Sequence, residues 1–303
     1  ATTVNTQGGA LIIASNIDDA TDGDTTTNGY IMLREGLTVN TRGGDITIGG
    51  GNASGTGYAL GSSASTLTEG VRIDKVLSLV SGGGNISIKG KSYAASVGAA
   101  TGGAGFGIYY LTSAGSISSG TGTIYIEGYS QTTDTSTYGS GILFALNSSY
   151  ATTITSANTT ANAIKLVGIA TGTSADTWGI EVETNSPLNL YATGVGGGIS
   201  VLTSQKNTGS NYDAVYRSAV EILANGGDIK LLGGQTLSGS AGIANGIWQI
   251  EAAWALGSKT GSSYVASSSS NLTINYDKYY FSGINPTIKT TGTFTWDASG
   301  AST

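Results

Sequence analysis

The chain has 303 residues, 49 of them Gly and 2 Pro, with charged residues at 11% and a formal net charge of −6. That charge fraction is less than half the usual ~25%; it rules against the Glu-, Lys- and Arg-coated faces of long amphipathic helices, and Gly, Ser, Thr, Asn, Val, Ile and Tyr favour strands and turns instead. An acidic chain with 13 scattered basic residues argues against a nucleic-acid backbone or an anionic membrane surface as partner, and the absence of Cys excludes disulfide frameworks, zinc ribbons and thiol nucleophiles.

No apolar run approaches the ~20 residues of a membrane helix, so no membrane insertion is expected. The chain begins at Ala1 without an initiator Met or a signal pattern, which reads as a processed protein or a segment of a larger one.

Taken in chain order, one short strand pattern recurs. GGALII (8 to 13) is followed by GGDITIGG (43 to 50), GGGNISIKG (82 to 90), TGTIYIEG (121 to 128), NAIKLVG (162 to 168), GGISVL (197 to 202) and GGDIKLLGG (226 to 234), then by looser copies NLTINYD (271 to 277) and TFTWD (293 to 297). Each places two apolar residues two apart after a turn. The first apolar residues form the series Leu11, Ile46, Ile86, Ile124, Ile164, Ile199, Ile229, Leu272 and Phe294.

Similarity extends upstream of this strand pattern. Residues 29 to 50 superpose without a gap on the unit that follows when shifted by 40, setting Ile31 on Val71, Leu33 on Ile73, Leu37 on Leu77, Val39 on Leu79, Ile46 on Ile86 and Ile48 on Ile88. Further strand segments recur as GIYYL (107 to 111), GILFAL (141 to 146), GIEVE (179 to 183), AVYR (214 to 217) and GIWQI (246 to 250). Each unit therefore supplies three short strands and a variable excursion such as 91 to 105 or 129 to 139.

Strands this short bury their apolar face only against copies of themselves. The reading is an all-β parallel β-helix (solenoid) of about seven to eight coils with three short strands per coil, a rod of roughly 35 to 40 Å; a β-sandwich is the alternative fold. Ile46, Ile86, Ile124, Ile164, Ile199 and Ile229 would form one inward ladder, and Ile48, Ile88, Ile126, Leu166, Val201 and Leu231 a second. Thr47, Ser87, Tyr125, Lys165, Ser200 and Lys230 would face water. Glycine pairs at 43/44, 83/84 and 226/227 mark corners. Residues 1–303 read as a single β-helical repeat domain, with 1–28 as an N-terminal coil or assembly segment and 271–303 as a C-terminal coil or cap.

The motif G-G-[ND]-I-x-I-x-G preceded by [LV]-x-[VL], at Leu37 to Gly49 and Leu77 to Gly90, resembles the repeats of filamentous-haemagglutinin-like giant bacterial surface proteins, the β-strand repeat adhesins. The resemblance implies a right-handed β-helical shaft, export to the extracellular space or bacterial cell surface, and a role as adhesin, fibre or coat.

No catalytic, cofactor-binding or metal-binding residue stands out. With no His, the usual base is missing. Asp45 and Asp228 share a position with Asn85 and Thr123, an interchange that suits a corner residue bonding to nearby backbone. Asp18, Asp19, Asp22 and Asp24 offer oxygen ligands for calcium but lack the closing Glu of an EF-hand, and a solvated loop is the simpler reading. GGGN (82 to 85) and GVGGG (194 to 198) lack the Lys and helix of a phosphate loop. The aromatic stretch NYDKYYFSGI (275 to 284), with Trp248, Trp254 and Trp296, suits end capping or assembly, and could also stack on sugars.

The expected function is that of a non-enzymatic structural segment of an extracellular fibre, adhesin or surface layer. It would stack head-to-tail with copies of itself or with adjacent segments of a longer chain, and it predicts no deep pocket and no convergent acids. The alternative is a carbohydrate-binding or carbohydrate-cleaving β-helix of the surface-enzyme or phage-tailspike type, which requires a groove lined with Tyr and acids and makes surface glycans a partner.

Overall fold

The structure, a computed structural model, describes residues 2–15, 29–62, 68–93, 105–111, 115–131, 138–145, 151–171, 177–205, 214–234, 247–251, 254–260, 263–265, 270–276, 278–281 and 287–297. Every regular element among them is a strand, and the strands form three sheets visited in turn. The first sheet stacks nine parallel rungs from Thr2–Asn5 to Thr287–Ile288, with Ser263–Val265 added antiparallel to Trp254–Thr260. The second stacks nine, from Leu11–Ser15 to Phe294–Asp297, and the third eight, from Ile31–Leu33 to Lys278–Phe281. This is a parallel β-helix with three strands per coil.

Among the described residues the sheets hold eight or nine rungs, against the seven to eight coils expected. The short step from Leu272 to Phe294 still passes through all three sheets, by way of Lys278–Phe281 and Thr287–Ile288, so it counts as a full coil.

Register follows the repeat. Ile46 pairs with Ile86, Ile86 with Ile124, Ile124 with Ile164, Ile164 with Ile199 and Ile199 with Ile229, and the row extends to Leu11 at one end and to Leu272 and Phe294 at the other. The second row runs through Ile48, Ile88, Ile126, Leu166, Val201 and Leu231 in the same pairings. Alternation on a pleated strand puts both rows inward, where the side chains from Ile46 to Leu272 in the first row and from Ile48 to Leu231 in the second are almost wholly shielded from solvent. Burying one such side chain contributes about 1.5–3 kcal/mol. All six pairs of the 40-residue shift are register partners as well.

One coil solves a volume problem locally. Gly115 stands in the inward row that holds Leu77 in the preceding coil, and the phenol of Tyr110 fills the space a side chain would take there.

Outward positions are less uniform than alternation alone suggests. Lys230 is exposed, whereas Ser200 is buried and its hydroxyl bonds Asn162 Oδ1 of the preceding coil at 2.9 Å.

The corner between the first and second sheets carries two stacked ladders. Buried Thr41 and Ser81 each donate to the carbonyl of the glycine three residues on, Gly44 and Gly84, and Ser119 does so to Gly122 at 2.6 Å. Thr41 and Ser81 also reach the carbonyls of Ser81 and Ser119 in the following coil, at 3.2 and 3.0 Å. Outside them, Asp45 Oδ1 accepts from the Asn85 amide at 2.6 Å, Asn85 Oδ1 from the Thr123 amide at 2.9 Å, and Asp228 Oδ1 from the Asn271 amide at 3.2 Å. The corner residues bond to backbone, but to that of the next coil.

The two glycines of the pair differ in duty. Gly43, at φ +114°, adopts a backbone that L-residues rarely reach, whereas a Cβ on Gly84 would overlap the carbonyl of Gly44 in the coil beside it.

Candidate functional site

The third sheet presents the site on its outer face. Because Ile108 and Tyr110 point inward, Tyr109 between them points out, and the same alternation aims Arg72, Leu143 and Glu181 outward on neighbouring rungs. Two residues further along their strands stand Asp74, Glu183 and Arg217. Glu69, Phe106 and Tyr138 precede strands of this sheet, and Trp178 lies near the start of Thr177–Val182. All of these side chains except Asp74 line an open groove of about 720 Å³ that crosses five coils.

Each end of the groove holds an arginine fixed by carboxylates and laid against an aromatic ring. Arg72 contacts Asp74 at 2.6 Å and Glu69 at 3.2 Å, and its guanidinium lies 5.3 Å from the Tyr109 ring centre. Arg217 contacts Glu181 at 2.6 Å and Glu251 at 3.8 Å, and lies 5.1 Å from the Trp178 ring. Tyr138 stacks on Trp178 with centroids 6.3 Å apart and planes 23° from parallel, while 57% of its surface faces solvent. Phe106 packs on Tyr109 at 4.9 Å, and Leu143 forms the apolar floor between the two ends.

Burial sets the electrostatics. Glu181, 2% exposed, is pushed up to about 7 by desolvation, against the pull of Arg217 and the hydrogen bond from Ser140 Oγ at 3.0 Å, with Glu183 adding to the rise. Burial likewise raises Glu69 against the pull of Arg72, and raises the Tyr109 phenol. Two buried polar atoms in the groove lining have no hydrogen-bond partner: Glu69 Oε2 at one end and the Trp178 Nε1 donor at the other.

The outer face of the second sheet contrasts with this. Lys89 lies over Tyr58 and Tyr125, Lys165 over Tyr125, and Lys91 over Tyr129, at 5.3 to 5.8 Å. It forms a Tyr–Lys ladder.

The residues singled out in sequence fall elsewhere. Asp45, Asp228, Asn85 and Thr123 stitch coils at the first corner, and the glycines of GGGN and GVGGG turn it, with Gly82 at φ +69° and Gly196 at +81°. The Asp18–Asp24 loop lies outside the described residues. Among the described residues no group of three or more acidic residues is placed to hold a metal ion, and no helix is long and apolar enough to cross a membrane. Trp254 is buried in the core, and along the last rungs Tyr276 packs edge to face on Tyr279 and Phe294 on Trp296, with Tyr279 and Trp296 tilted at 49°.

On the third sheet three acids line one groove without meeting at a point. Glu69, Glu181 and Glu183 lie more than 100 residues apart at the extremes, and the stacking of the coils sets Glu69 at one end of the groove and the other two toward the opposite end. The signal was present in GIEVE and AVYR, whose outward Glu181 and Arg217 can be placed once the strands are superposed rung on rung.

Comparison with known proteins found no matching family model, no matching curated protein and no matching solved structure.

Proposed function

We propose that the chain is a non-enzymatic structural segment of an extracellular bacterial fibre, adhesin or surface layer, as its resemblance to filamentous-haemagglutinin-like repeats implies. The observation that carries this reading is the unbroken parallel register of three sheets through every described coil, which makes the molecule a rigid rod of roughly 40 Å. Head-to-tail stacking on a second copy or an adjoining segment suits the terminal rung. Phe294 and Trp296 continue the inward rows of Leu272 and Ile274 yet are 42% and 38% exposed, and a further rung would cover them. Negative-stain electron microscopy across a concentration series tests it. Filaments of uniform width are the expected outcome, and isolated rods at every concentration would remove self-stacking.

A second reading, carbohydrate binding, is favoured by one observation: the groove lined with Tyr138, Tyr109 and three glutamates that this reading requires. The two readings are compatible in an adhesin, where a shaft carries a ligand site along its side.

A further inference from the structure

We infer that the groove on the third sheet binds an uncharged oligosaccharide laid along the helix axis, an assignment that rests on the carbohydrate reading and specifies its ligand. Four features of the groove lead to this ligand class.

Its walls are side chains alone. The backbone of each rung is paired with the rungs on either side, so no strand edge is available to an extended peptide. What remains is aromatic surface and a set of fixed polar groups.

The aromatic surface comes as two pairs, Tyr138 on Trp178 and Phe106 on Tyr109. Tyr138 exposes most of its surface beside a ring held rigid by Arg217, an arrangement suited to the C–H face of a pyranose.

The charge pattern disfavours an anion. Both guanidiniums are already matched by carboxylates, Arg72 by Glu69 and Asp74, Arg217 by Glu181 and Glu251, and Glu183 adds a further acid to the lining. A uronate or sulfate would have to displace a carboxylate from a 2.6 Å contact and then face the remaining acids. Sugar hydroxyls, donors and acceptors at once, meet carboxylates and guanidiniums without that cost.

The unpartnered Glu69 Oε2 and Trp178 Nε1 supply the fourth feature. A buried polar atom without a partner costs about 1–3 kcal/mol, and a bound chain of hydroxyls, with the waters it orders, offers partners at both ends of the groove. Arg72 and Arg217 stand four rungs apart, about 19 Å. The rise per coil is close to the length of one pyranose in an extended chain, so the site spans several sugars.

The test is calorimetric titration of the full chain with cello-, xylo- and manno-oligosaccharides of two to six units, and with oligogalacturonates and heparin oligosaccharides. At least one neutral series is expected to bind, more tightly with length. Tyr138→Ala should weaken binding about tenfold, Tyr138→Phe by no more than about threefold, and Tyr125→Ala on the second sheet not at all. Binding of the anionic series alone would overturn the assignment while leaving the carbohydrate reading standing. Binding of a neutral series unaffected by Tyr138→Ala would overturn the location. No binding by any series would remove the assignment and the carbohydrate reading together, with the structural reading untouched.

Discussion

The first corner, between the first and second sheets, and the outer face of the third sheet are built from the same repeat and use it in opposite ways. At the corner, Thr41, Ser81 and Ser119 do the same work coil after coil, each hydroxyl closing its own turn and two of them reaching the following coil. On the third sheet, equivalent rung positions hold Arg72, Tyr109, Leu143 and Glu181, four different chemistries. Repetition secures the rod where neighbours must be identical; variation is confined to a surface where the backbone is already satisfied and a side chain costs the fold little.

Substitutions should separate the two regions. The largest effect is expected from Gly84→Ala, whose methyl overlaps the Gly44 carbonyl and forces backbone in two coils to move, at about 3 kcal/mol in urea unfolding. Ser81→Ala removes the hydroxyl donor of the Gly84 carbonyl, while the Ser119 carbonyl keeps the amides of Gly83 and Gly122, and should cost about 2 kcal/mol in the same assay.

The groove should respond to pH instead. Glu181 is raised in the folded state from 4.5 to about 7, so folding takes up a proton across this window. Its contribution is fully present below pH 4.5 and is lost as pH rises toward 7, with a slope of at most about 1.4 kcal/mol per pH unit. Glu69 is shifted in the same direction. Unfolding of Glu181→Gln measured between pH 4.5 and 7.5 should show a flatter profile than the parent, and an unchanged slope would refute the assignment of this dependence to Glu181.

Smaller still is Gly43→Ala. Nothing crowds that position, and only the positive φ is lost, for about 1 kcal/mol. Tyr138→Ala, at an exposed position, should shift the thermal midpoint by less than about 0.5 kcal/mol in equivalent free energy while removing much of the groove's affinity.

The ladders were legible because their information is local and repeated. Ile46, Thr47 and Ile48 state the alternation, and eight further copies state the register, so the pairing of Leu11 through Phe294 follows from counting. The hydroxyl column was not legible: Thr41 and Ser81 look like ordinary turn residues until Gly44 and Gly84 are seen to present carbonyls to them. The groove was hidden for a different reason. Glu69 and Arg217 occur once each, in separate units, and meet only through the stacking of five coils. Repetition reveals scaffold, whereas a ligand site made of departures from the repeat leaves no periodic trace.

The parallel stacking of coils also sets how the molecule yields to force. The strands run across the axis, so tension applied along it loads one rung against its neighbour and peels coils singly rather than shearing all three sheets at once. Each coil released, such as the one from Ile86 to Ile124, pays out from about 4.8 Å of rod to over 100 Å of extended chain. A β-helix of this kind absorbs a pull by lengthening in steps, and it rewinds on the template of the coil still in place.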